Sequence, residues 1–136
     1  MNREIKFRGK RLDNGKWVFG DLLTKHPHHK GLTIVENGVL HHEVNPETVG
    51  QYTGLKDTND VEIYEGDVVK GHRYSNGVKN EIVGRVMFGY IGWNVAGVGH
   101  YVWDAATLTS AYEVIGNIHD NLDFLKVLRD EGGRNA

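Results

Sequence analysis

The chain has 136 residues, 16 basic against 18 acidic, eight histidines and a formal charge of −2, so no global electrostatic field recruits a polyanion. It contains no cysteine, which excludes a disulfide framework, a thiol nucleophile and a cysteine-ligated zinc site, and fits a reducing cytoplasm. No apolar run approaches the roughly 20 residues of a membrane-spanning helix. The expectation is therefore a soluble cytoplasmic protein, one domain long and divisible into residues 1–55 and 56–136.

In chain order, residues 3–11 read as a strand, with Glu4, Lys6, Arg8 and Lys10 alternating with Ile5 and Phe7. Asp13-Asn14-Gly15 is a turn, and Lys16 to Leu23 returns as the second strand. A polar loop, Lys25 to Gly31, carries His26, His28 and His29. Leu32–Val35 and Val39–Val44 flank Asn37-Gly38, a second hairpin, and Asn45-Pro46 breaks the chain. Thr48 to Leu55 is extended, and Gly54 can release it into the turn-rich Lys56 to Asp60. Glu65-Gly66-Asp67 feeds the buried pair Val68-Val69.

Val68–Tyr74 and Glu81–Phe88 flank Ser75-Asn76-Gly77, a third hairpin with a longer loop. Tyr90–Val95 and His100–Trp103 are further short strands, Asp104–Ala111 is a loop or a single helical turn, and Tyr112–Ile118 is the last strand. Asn121 caps a short C-terminal helix with Leu122, Phe124, Leu125 and Leu128 on its apolar stripe. The fold class is mainly β: an N-terminal β meander, then a small SH3-like barrel of about five strands, then the helix.

Three separated motifs resemble the YopX family of proteins encoded by phages and prophages. They are Gly50-Gln51-Tyr52-Thr53-Gly54-Leu55-Lys56-Asp57, then Ile63-Tyr64-Glu65-Gly66-Asp67, then Glu113-Val114-Ile115-Gly116-Asn117-Ile118; the opening Ile5 to Lys10 and Trp17 also fit. A glycine is the more usual residue where Asp60 stands, and His119-Asp120-Asn121-Leu122 replaces an aromatic, a Glu, an Asn and a Pro. The resemblance implies a mainly β protein of phage origin. It implies no established biochemical role.

The residues offer no catalytic or cofactor motif, and no cofactor is expected. Gln51, Tyr52, Thr53, Gly54, Asp57, Tyr64, Glu65, Gly66 and Asp67 form the candidate binding motif, with a structural clasp as its stronger reading. Carboxylates at Asp57 and Asp67 can hold Mg²⁺ or do acid–base work if they converge, but aspartates in turns ordinarily accept backbone N–H groups. His26, His28, His29, His41 and His42 can ligate a metal, although adjacent residues such as His41 and His42 on a strand face opposite ways, and solvated histidines are the stronger reading.

Lys6, Arg8 and Lys10, at about 7 Å intervals on one strand face and joined by Trp17, can bind nucleic acid. Basic residues in 1–16 and acidic residues in 57–67 can instead bring two copies together. The leading reading is a non-enzymatic interaction or assembly module whose partner is a second copy or a host or phage protein. Nucleic-acid binding comes second and a metal-dependent enzyme third.

Overall fold

The computed structural model describes residues 4–89, 92–97 and 105–120. The described residues form eleven strands: β1 (Phe7–Lys10), β2 (Trp17–Leu23), β3 (Thr33–Glu36), β4 (Leu40–Glu43), β5 (Gly50–Lys56), β6 (Glu62–Tyr64), β7 (Asp67–Ser75), β8 (Val78–Gly89), β9 (Gly92–Gly97), β10 (Ala105–Thr107) and β11 (Glu113–Asn117). All the recorded ladders are antiparallel. No helix among the described residues is long and apolar enough to cross a membrane. The expected C-terminal helix lies outside the described residues.

The chain divides into two compact units, Met1–Gly54 and Leu55–Ala136. In the first, the strand order is β4-β3-β2-β1-β5. Lys10 faces Trp17, so residues 11–16 close the first hairpin, with Gly15 at φ 71°. Glu36 faces Leu40 around Asn37-Gly38, where φ is 52° and 74°. Asn-Gly tolerates these left-handed values, which match the twist of the flanking strands.

Beyond Asn45 the chain makes a short 3-10 turn, Pro46–Thr48. The Asn45 side chain accepts from the Glu47 N–H, and Thr48 Oγ1 accepts from Lys10 N at 2.8 Å. Arg11 bridges to Val44, so the end of β1 meets the chain leaving β4. Val18, Ile34 and Val44 form the buried centre of this unit, with Phe7, Leu22, Leu32 and Val49 packed around them.

In the second unit β6 is followed by a five-stranded sheet in the order β10-β9-β8-β7-β11. Its core is Ile63, Val69, Ile82, Val86, Val95, Leu108 and Tyr112, with Leu55, Trp93 and Val114 against it. A register shift between Val114 and Gly116 bends β11 as it pairs with β7. Among the described residues no ladder joins β10 to β11.

Four local readings are corrected. Residues 3–11 yield a strand of only four residues, Phe7–Lys10. Gly54 stands at φ 87° yet does not end its strand, because β5 continues to Lys56 and the turn falls at Asp57–Asp60. The third hairpin is tighter than expected: Ser75 pairs with Val78, leaving only Asn76-Gly77 as its loop. Ala105–Thr107, read as loop or helical turn, is a strand on β9, for a three-residue strand held by its neighbour leaves little periodicity in the sequence.

Candidate functional site

The central motif folds around two buried carboxylates. Asp57 Oδ1 accepts the N–H groups of Asn59 and Val61 at 2.8 and 2.9 Å, and Oδ2 accepts that of Val114 at 2.8 Å. One side chain thus ties the β5–β6 turn to the start of β11, 57 residues away in sequence. Burial alone would raise this carboxyl's pKa. The N–H groups of Val114, Val61 and Asn59 aimed at the charged form outweigh burial and hold it below its ordinary value.

Asp60 completes the turn in left-handed conformation, φ 66°, the conformation for which glycine is the more usual residue. Its exposed side chain pairs loosely with Lys56 at 3.7 Å.

Asp67 is 2% exposed, and its Oδ2 accepts the Tyr64 N–H at 2.8 Å across the Glu65-Gly66 turn. Tyr64 is buried, and its hydroxyl donates to Glu62 Oε1 at 3.2 Å. Gly66, at φ 92°, donates its N–H to the Val86 carbonyl and accepts from Ile118 N. Glu65 is half-buried. On β5, Tyr52 and Thr53 are buried, Gln51 lies opposite Phe7, and Tyr52 N donates to the Lys6 carbonyl. These residues hold strands in place. Among the described residues no three His, Asp or Glu side chains converge to hold a metal ion.

The basic strand keeps Lys6, Arg8 and Lys10 on one face, as its alternation requires, but sets aromatic rings beside them. The Arg8 guanidinium carbon lies 4.5 Å from the centre of the Trp17 ring, Lys10 Nζ 5.5 Å from the same ring, and Lys6 Nζ 5.2 Å from that of Tyr52. Arg8 is 7% exposed. Trp17 therefore stacks on this chain's own cations, contacts worth about 0.5–2 kcal/mol each.

His28 and His41 are exposed, as solvated side chains are, while His26 and His29 are half-buried and pack on each other. His26 stacks on His29 with ring centres 3.9 Å apart, and its Nε2 lies 3.0 Å from His41 Nδ1. His26 Nδ1 accepts the His28 N–H, so the neutral His26 ring carries its proton on Nε2 and donates to His41. Burial, then the rings of His29, His41 and His28, lower the His26 pKa, while Glu43 opposes them.

His42 points the other way, 3.7 Å from Glu36, as strand alternation requires. Beside the cluster is a cleft of about 230 Å³ lined by Arg11, Leu12, Asp13, His29, His41, His42 and Glu43. Arg11 holds Asp13 through two hydrogen bonds, which lower the Asp13 pKa. The loop's composition showed that histidines were present; only the fold puts His41 against His26, 15 residues apart.

The model of the YopX family, described as YopX protein, matches residues 6–126. The chain belongs to the YopX family. Among solved structures, this YopX chain is similar to the crystal structure of protein EF1440 from Enterococcus faecalis. The two are 20% identical, the likeness covers 91% of this chain and 99% of that one, and the TM-score is 0.51. At that identity the likeness is one of fold. No curated protein gives a significant match.

Proposed function

We propose that this YopX protein is a non-enzymatic interaction module that works by docking on another macromolecule. The observation that carries the reading is the use made of Asp57 and Asp67. The carboxylates that could have done chemistry are buried and bonded to backbone N–H groups of the fold. A carboxylate with its lone pairs so occupied is poorly placed to take a substrate proton.

What remains for function is the exposed surface. The partners that fit are a second copy, a host or phage protein, or nucleic acid, met in the bacterial cytoplasm during a phage or prophage programme. Self-association would draw on the charge asymmetry of the chain, chiefly Glu62, Glu65 and the exposed Asp60. In this reading the second unit's five-stranded sheet is a small SH3-like barrel, a scaffold whose rim and hairpins carry contacts.

Native mass by light scattering, in low and high salt and with and without a short DNA duplex, tests the reading. Expected is a mass above the monomer's 15.3 kDa, either alone or with DNA. If the chain assembles with itself, reversing the charges at Glu62 and Glu65 lowers that mass. A chain that stays at monomer mass in every condition, and on which no host or phage protein is retained in a pull-down from the host cell, sinks the reading.

A further inference from the structure

Among the described residues the β7–β8 ribbon outruns the sheet that holds it: β11 pairs with β7 over Asp67–Lys70, and β9 pairs with β8 from Gly84 to Gly89. The ribbon's root, Gly71 opposite Ile82, is buried in the core. From His72 opposite Glu81 to Ser75 opposite Val78, the two strands pair only with each other among the described residues. Four residues of extended chain reach about 13 Å. The tip is the two-residue Asn76-Gly77 turn, with φ 52° and 76°.

An isolated two-stranded ribbon is marginal in water. This one is anchored at its root and gains no core at its tip, where Tyr74 is 69% and Val78 58% exposed. The ribbon's composition runs against that of the chain. Lys70, Arg73 and Lys79 face a single acidic residue, Glu81, in a protein whose net charge is −2. Register puts Lys70, His72 and Tyr74 on the same face as Lys79 and Glu81, and His72, Tyr74 and Lys79 are exposed.

We propose that the projecting end of the β7–β8 ribbon docks in a groove of duplex nucleic acid. The inference rests on the interaction reading above and names its partner. The major groove, about 12 Å wide, admits a two-stranded ribbon. Lys70 and Lys79 supply phosphate contacts, which set affinity without reading sequence. At the tip, the Tyr74 hydroxyl and the Asn76 and Asn80 amides are of the kinds that bond phosphates and base edges. A second copy is the poorer occupant of this surface, because ribbon against ribbon sets like charges side by side. The basic strand β1 is the poorer nucleic-acid surface, because Arg8 is buried against Trp17.

Fluorescence anisotropy of a labelled duplex of about 20 base pairs, with the full chain, tests this. Two phosphate contacts predict an affinity that falls roughly 12-fold between about 50 and 200 mM salt. Lys70→Gln with Lys79→Gln should flatten the log–log salt slope by about 2, and Tyr74→Ala should weaken binding without changing the slope. Lys6→Gln with Lys10→Gln should leave binding unchanged. Circular dichroism melting checks that each variant is folded, and the exposed tip makes loss of fold unexpected.

Unchanged binding by the ribbon variants, or loss of binding on changing Lys6 and Lys10, overturns the ribbon proposal. So does a wild-type chain that fails to bind the duplex. If that chain also self-assembles, the interaction reading survives; if it stays monomeric and retains no host or phage protein in a pull-down, both fall.

Discussion

Asp57 is a single side chain on which three backbone N–H groups depend. Replacing it by alanine leaves those donors without their acceptor and should cost about 3 kcal/mol, read by urea unfolding at neutral pH. Its lowered pKa gives a sign. Stability from this carboxylate is fully present above its unfolded value near 3.8, and is lost as pH falls through the lower folded value. Asp57→Asn should therefore lose less stability on acidification than the wild type, and an equal loss would show that the acid sensitivity lies elsewhere.

Asp60 gives the opposite kind of test. At φ 66° its Cβ is tolerated rather than needed, and its ion pair with Lys56 is exposed. Asp60→Gly should be neutral or stabilising by up to about 1 kcal/mol, whereas Asp60→Val should destabilise measurably in the same assay.

For His26 the neutral form is favoured by the fold, so its contribution is present above the ordinary value of 6.5 and is lost as pH falls below it. The groups facing it are His28, His29, His41 and Glu43, with His42, Glu36, Arg11 and Asp13 nearby. Nuclear magnetic resonance should show His26 titrating below 6.5, with the His28 amide shifting in step. Titration at or above 6.5 would contradict the packed cluster.

At the scale of elements, close packing between strands makes sharp demands. A Cβ on Gly84 would clash with the Ala96 carbonyl oxygen across the β8–β9 ladder, and a backbone atom cannot swing aside as a flexible side chain can. Gly84→Ala should therefore cost about 1–3 kcal/mol, seen as a lower urea midpoint at unchanged slope.

The hairpins at Asn37-Gly38 and Asn76-Gly77 were legible because their geometry is set by two adjacent residues with left-handed backbone. β10 was not legible, since its three residues are extended only because β9 offers a ladder. Alternation placed Lys6, Arg8 and Lys10 on one face. It could not say that Trp17 and Tyr52 would come to lie beside them, because that depends on the register of β1 against β2 and β5.

For the whole molecule, charge is a matter of distribution rather than sum. The isoelectric point near 6.4 means that the net charge changes sign between pH 7.5 and 6.0. At fixed low salt, affinity for duplex DNA should rise over that interval, checked by anisotropy at the two ends. A flat profile would mean that the groups gaining charge lie away from the contact.

The sequence by itself determined the family, the mainly β class, the absence of thiol chemistry and the positions of the Asn-Gly turns. These follow from residue identity, composition and two-residue periodicity, which need no partner elsewhere in the chain. Only the tertiary structure decided what the motif side chains touch. Whether Asp57 is a catalytic acid or a clasp depends on Val114 arriving 57 residues later with its N–H toward the carboxylate. Whether a basic stretch is available to a partner depends on what is packed against it. That difference separates the buried Arg8 on Trp17 from the exposed Lys79 on the ribbon, and burial is settled by the folded chain as a whole.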